Sequence, residues 1–177
     1  MNYYSKYITD LDNDEVWVFG SNTLGFHGCG SAGYASFGVF GNRWREFDYA
    51  NKPDGWKGKW NVKGVSEGLQ EGEEGKSYAI ITVTKPGAKR SISKKQIKQS
   101  VIKFYRFAES NPNLKFYVAQ SVTPGYNGYS VEEMMDIWSV EYPPDNVYFY
   151  EPFYELLKDR FPLLNIFDAY THSTVVS

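Results

Sequence analysis

Val16-Trp-Val-Phe-Gly-Ser-Asn-Thr-Leu-Gly-Phe-His-Gly-Cys-Gly-Ser-Ala-Gly-Tyr34 is the stretch on which the reading of this chain turns. Val16 to Phe19 is a short apolar run, the signature of a buried strand. It leads into a segment carrying Gly20, Gly25, Gly28, Gly30 and Gly33, interleaved with Ser21, Asn22, Thr23 and His27. Small, helix-compatible residues follow. A strand, a glycine-rich loop and a helix N-terminus in succession hold phosphate well: backbone N–H groups point outward, the helix dipole favours an anion, and glycine lets a ligand approach the main chain. The stretch therefore predicts a phosphate-bearing ligand, a nucleotide above all.

Working outward, the chain alternates strand and helix. Tyr4 to Ile8 is expected as an edge strand and Ser31 to Phe40 as a short helix. The stretch from Arg43 to Gly75 is polar and glycine-rich, with Trp44, Trp56 and Trp60. It is expected as an insertion, with Gly64 to Gly72 as loop, and loops of that length are often functional. Tyr78 to Thr84 is a β-branched run, hence a buried strand, closed by Lys85-Pro86-Gly87. Ser93 followed by Gln96 is a capping box opening a helix over Lys94 to Glu109. Ile97, Val101, Phe104, Tyr105 and Ala108 line one face of it, and Asn111-Pro112-Asn113 stops it. Lys115 to Gln120 is the next strand. A second small-residue loop follows, from Ser121 through Thr123, Pro124, Gly125, Tyr126, Asn127 and Gly128 to Tyr129. Ser130 and Glu133 form a second capping box, opening a helix over Val131 to Trp138. Asn146 to Tyr150 is a last strand, and Pro152 starts a helix running to about Arg160. The tail after Asp168 is expected to be loosely held. Strands separated by helices imply a mostly parallel sheet covered on both faces, with ligands at the C-terminal ends of the strands. Both glycine-containing loops follow strands at those ends.

The chain has 177 residues, two histidines and one cysteine. That length suits a single domain spanning residues 1–177, interrupted by the insertion at about 43–75, and can bury roughly 70% of its unfolded surface without disulfide or metal. A net charge of −2 and a pI near 5.7 do not suggest nucleic-acid binding. Lysine and arginine cluster only between Lys85 and Lys103, where they read as a solvated helix face and its approach. Cys29 alone cannot form an internal disulfide or a cysteine-based zinc site. Met1 to Asp14 has no apolar signal-peptide core, and no apolar run reaches the length of a membrane span. The expectation is a cytoplasmic domain with no membrane partner, no metal and no cofactor.

Gly28-Cys29-Gly30-Ser31-Ala32-Gly33 matches the dinucleotide fingerprint letter for letter. The fingerprint belongs directly after its strand, however, and here Gly20 to His27 intervene; no strand ending in an acidic residue follows at the required distance. The alternatives are a glycine loop that merely turns tightly, or a phosphate or ribose site of another type. Asn22 offers a donor and an acceptor suited to a ribose hydroxyl, or else caps its own loop. His27 sits where an acid, base or anion ligand would act, or else is a stacked loop histidine. Cys29 sits at a helix N-terminus, where a thiol is acidified, or is a small filler. Gly125 to Tyr129 reads as a second phosphate cradle with a ring beside sugar or base, or as a turn leading into the Ser130-capped helix.

These two loops carry a resemblance. Val18 to Ala32 resembles the first ligand loop of macro domains, in which a strand leads to Asn, then a glycine-rich segment, then a helix. Pro124 to Tyr129 is similar to that family's second loop, which also precedes a helix with Glu in its first turn. The chain resembles more closely a macro-like group of bacterial and phage proteins, with Gly68-Leu-Gln-Glu-Gly72 and Ser77 to Thr82 as the matching middle section. The resemblance covers roughly Val16 to Phe149. It implies an α/β chain with a three-layer α/β/α fold, a central mixed, mostly parallel sheet, and binding of ADP-ribose or a related nucleotide between the loops. It implies that Asn22 contacts the distal ribose, that Gly28, Gly30 and Ser31 wrap ribose and diphosphate, and that Gly125, Tyr126, Asn127, Gly128 and Tyr129 clamp the diphosphate. Gly20, Ser21, Cys29 and Thr123 complete the candidate ligand-binding set. Some members remove the phosphate of ADP-ribose 1″-phosphate or hydrolyse ADP-ribosyl esters; His27, with Asn22, is the candidate catalytic pair for such chemistry. Many hydrolytic members carry an Asp in loop one where Ser31-Ala32 stands here, so binding is better supported than catalysis. The competing readings are a nucleotide-sensing or sequestering module without turnover, and an oligomeric interaction protein on a degenerate nucleotide fold.

Overall fold

The computed structural model describes residues 1–28, 30–37, 64–72, 75–122 and 126–161. The protein is α/β, with a six-stranded mixed sheet in the order β1-β6-β5-β2-β4-β3. The strands are β1 (Asn2–Tyr4), β2 (Glu15–Asn22), β3 (Gly68–Glu71), β4 (Lys76–Val83), β5 (Lys115–Val118) and β6 (Val147–Tyr150). All neighbours pair in parallel except β3, which lies antiparallel on β4 at one edge. The helices are α1 (Gly30–Phe37), α2 (Lys94–Ser110), α3 (Val131–Trp138) and α4 (Glu151–Leu157).

Period-2 alternation along β2 assigns the helices to opposite sides of the sheet. Trp17 faces α1 and donates its indole N–H to the Ser31 carbonyl at 3.1 Å. Val16 and Val18 face the other way, in register with Phe116 and Tyr78. On that side Tyr78 meets Phe104 of α2 at 5.0 Å between ring centroids, and Phe104 stands edge-on to Phe116 and to Trp138 of α3. Trp138 continues edge-on to Phe149 of β6. The result is a three-layer α/β/α arrangement whose heavier core lies under α2 and α3. Edge-to-face ring pairs of this kind add to the burial of the rings themselves.

Both capping boxes form. Ser93 and Gln96 exchange hydrogen bonds at the start of α2, as do Ser130 and Glu133 at the start of α3. Ile97, Val101, Phe104, Tyr105 and Ala108 are all buried. Elsewhere the structure moves expected boundaries. The edge strand is Asn2–Tyr4, not Tyr4 to Ile8, because residues 5–14 must leave the edge and cross β6 and β5 to reach β2. Gly68 to Glu71, expected as loop, is β3: the open edge of β4 supplies backbone partners that outweigh a weak local strand preference. β5 ends at Val118, and Gln120 lies in a 3-10 turn. β6 begins at Val147, one residue after Asn146, whose carbonyl still accepts from the Phe116 N–H while its side-chain amide bonds the carbonyls of Ala108, Asn111 and Leu114. The last helix changes to a 3-10 turn over Lys158–Arg160. Residues 38–40 of the first expected helix, most of the insertion and the tail lie outside the described residues. Among the described residues no helix is long and apolar enough to cross a membrane.

Candidate ligand site at the C-terminal ends of the strands

The chain leaves β2 through α1 on one face and leaves the adjacent β5 through α3 on the other. Their boundary is thus where the direction of winding reverses, the place at which open α/β sheets hold ligands. The segments following β2 and β5 are the two glycine-containing loops.

The first loop differs from its expected form. β2 runs on through Gly20, Ser21 and Asn22, which pair with β4 up to a bulge at Ser21/Asn22. These residues therefore belong to the strand, not to the loop, because β4 is long enough to keep pairing with them. Gly20 is wedged between neighbours on both sides: a Cβ there would stand 3.2 Å from Thr82 Oγ1 and 3.4 Å from Val122 Cγ2. The Asn22 side chain is turned onto its own loop. Its amide donates to the Phe26 carbonyl at 2.9 Å and its oxygen accepts from the Phe26 N–H at 3.1 Å. It is only 5% exposed, so the loop-capping role is the one observed. Gly25 takes φ +70, and a Cβ there would lie 2.5 Å from the Gly64 carbonyl oxygen, which leaves glycine as the residue that fits.

His27 is fully buried. Its Nε2 lies 2.8 Å from Ser21 Oγ, and its ring stands edge-on to Phe19 at 4.9 Å. Burial pushes its pKa down to about 4, so the ring is neutral at physiological pH. A histidine anchored this way fixes the loop from beneath. Gly28 is also buried, whereas Gly30 at the head of α1 is exposed, with open space where a Cβ would point. Ser31 uses its carbonyl on Trp17. Cys29 lies outside the described residues.

Of the second loop, Thr123 and Gly125 lie outside the described residues, and Tyr126 to Tyr129 are placed. Tyr126 stands 80% exposed. Asn127 is buried and accepts from the Tyr129 N–H at 3.1 Å. Gly128 has φ +86, and a Cβ there would lie 2.7 Å from the Lys89 Cβ. Tyr129 is buried and donates its hydroxyl to the Ile92 carbonyl at 2.7 Å. The loop after β5 is thus packed against the turn after β4, on the far side of β2. That turn carries Lys85, Lys89 and Arg90, with Lys94 just beyond. In the sequence Arg90 is part of a solvated basic run; the one local clue to it is its place between the Lys85-Pro86-Gly87 turn and the Ser93 cap. The adjacent Glu133 has its carboxyl held below the usual carboxylate range, first by the Ser130 backbone N–H and then by Arg90.

Two other features lie apart from these loops. Asp12, Asp14 and Glu15 bring carboxylate oxygens within 4.8 Å of one another at the opposite end of β2, where Glu15 already accepts from the Asp12 N–H. A cavity of about 450 Å³ is lined by residues 3–10, Glu15 and Tyr117, and by no residue of either glycine-containing loop. Compared with family models, curated proteins and solved structures, the chain matches none of them.

Proposed function

We propose that this protein binds ADP-ribose, or a nucleotide derivative sharing its diphosphate and ribose, in the crevice between the 23–31 and 123–129 loops. The observation that carries the reading is that the two loops follow the adjacent strands β2 and β5, where the winding reverses. Gly20 sits there between Thr82 and Val122, and Gly128 lies against Lys89. Three further points support it. Gly30 leaves its backbone open at the head of α1, where an anion is favoured. Tyr126 presents a ring to solvent at the mouth, suited to stacking on a sugar or base. Lys89 puts positive charge beside the second loop, next to the Arg90–Glu133 pair. The resemblance to macro domains points to the same ligand class.

A neutral, fully buried His27 favours binding or sensing over a reaction driven by that residue. Asn22 and His27 then shape the first loop, and ligand contacts come from backbone N–H groups, Ser31, Tyr126 and Lys89.

The test is a thermal-shift series with ADP-ribose, ADP-ribose 1″-phosphate, NAD, cyclic ADP-ribose, AMP and GMP. A ligand confined to the native state stabilises by about 2.7 kcal/mol at a hundredfold excess over its Kd. A rise in Tm with the ADP-ribose species, reduced in Lys89→Glu, is the expected result. No shift with any of the six at millimolar concentration would sink the proposal.

A further inference from the structure

Arg90 ties the turn after β4 to the second loop and to the first turn of α3. Its φ of +51 lies in the left-handed region, which non-glycine residues avoid, and it is the one such residue among those described. Strain of this kind persists only where its surroundings over-determine the conformation, and it clusters at binding sites. Here the surroundings are visible. The Arg90 N–H donates to the Asn127 carbonyl at 2.6 Å. Its Nε donates to the Gly128 carbonyl at 3.2 Å. The fork of the guanidinium spans both oxygens of Glu133, at 2.7 and 3.3 Å, and its carbon lies 4.8 Å from the Tyr129 ring centroid. One side chain thus grips the backbone of the second loop, the aromatic that ends it and the first turn of the helix that follows.

We propose that Arg90 is a positioning residue that sets the shape of the 126–129 loop before ligand arrives. The left-handed backbone is what lets main chain and guanidinium reach consecutive carbonyls. The geometry needs the planar fork, so lysine does not replace it. The proposal rests on the preceding section for the identity of the ligand but not for the effect on the loop.

The test uses the full chain and two readouts. The first is amide hydrogen exchange without ligand, followed at Tyr129, whose N–H is bonded inside the loop to Asn127 Oδ1. The second is ADP-ribose affinity by calorimetry. Arg90→Gly relieves the backbone strain and removes the fork. It is expected to hold Tm within a few degrees while Tyr129 exchange accelerates about tenfold and affinity falls about tenfold, the loss of a preorganised loop. Arg90→Lys should fail to restore either. Glu133→Gln keeps the capping box, since glutamine serves at that position, but removes the charge partner. It should accelerate Tyr129 exchange with α3 intact, and it keeps the test open if the arginine variants fold poorly. Unchanged Tyr129 exchange in folded Arg90→Gly and in Glu133→Gln overturns the proposal, as does full rescue by lysine or an unchanged affinity in Arg90→Gly. Wild-type protein that does not bind ADP-ribose overturns the ligand reading instead, and the exchange measurement still decides Arg90.

Discussion

His27 shows how burial redirects a residue's chemistry. In the sequence it is a histidine among glycines, where acid–base work is a natural expectation. In the fold it is enclosed against Phe19 and Ser21, and desolvation holds it neutral down to about pH 4. The unfolded chain takes up its proton near pH 6.5. Between these values the unfolded state binds more protons, so stability falls as pH drops from 6.5 towards 4, by on the order of 3 kcal/mol in total. Denaturant melts across that range should show this slope, and His27→Phe should flatten it; an unchanged slope in the variant would contradict the assignment. His27→Ala should lower Tm by removing a buried, hydrogen-bonded side chain, read by thermal denaturation. Gly25→Ala should cost about 1–3 kcal/mol, because it meets both an unfavourable φ and the Gly64 carbonyl. Asn22 was legible as a polar group able to cap or to bind. Which of these it does depends on where Phe26 folds back, a fact of the closed loop that no local pattern encodes.

At the scale of elements, the parts written in local chemistry were readable and those made by pairing were not. The apolar spacing of α2 and its Ser93–Gln96 box specify that helix without tertiary information. So do Ser130 and Glu133 for α3. Ser93→Ala and Ser130→Ala should each cost about 1 kcal/mol in chemical denaturation. Phe104→Ala should cost about 3–5 kcal/mol, because Phe104 is fully buried and meets Tyr78, Phe116 and Trp138 at once. β3 shows the opposite case. Gly68-Leu-Gln-Glu71 has little intrinsic reason to extend, and it becomes a strand because β4 offers it an edge. The end of β2 is similar: Gly20 to Asn22 look like loop residues and are carried into the sheet by β4. The candidate crevice was legible as two loops after two strands. The residue that holds the second loop was not, since Arg90 acts through contacts with residues about forty positions further along the chain.

At the scale of the molecule, the strand order places the two chain-distant segments β1 and β6 side by side at one edge. Asn2, Tyr3 and Tyr4 register with Tyr148, Phe149 and Tyr150. Removing the first four residues should bare the edge of β6, and exposed strand edges promote association. Light scattering of the truncated chain should rise with concentration while the intact chain stays clear; equal behaviour would show that β6 is protected in another way. The same pairing sets a timetable during synthesis. β6 follows β1 by about 145 residues, which at about 5–20 residues per second is a delay of roughly 7–30 seconds. Through that interval Tyr3 and Tyr4 have no sheet to join. Of the six described strands, the first to leave the ribosome must wait for the last before it can lock into place.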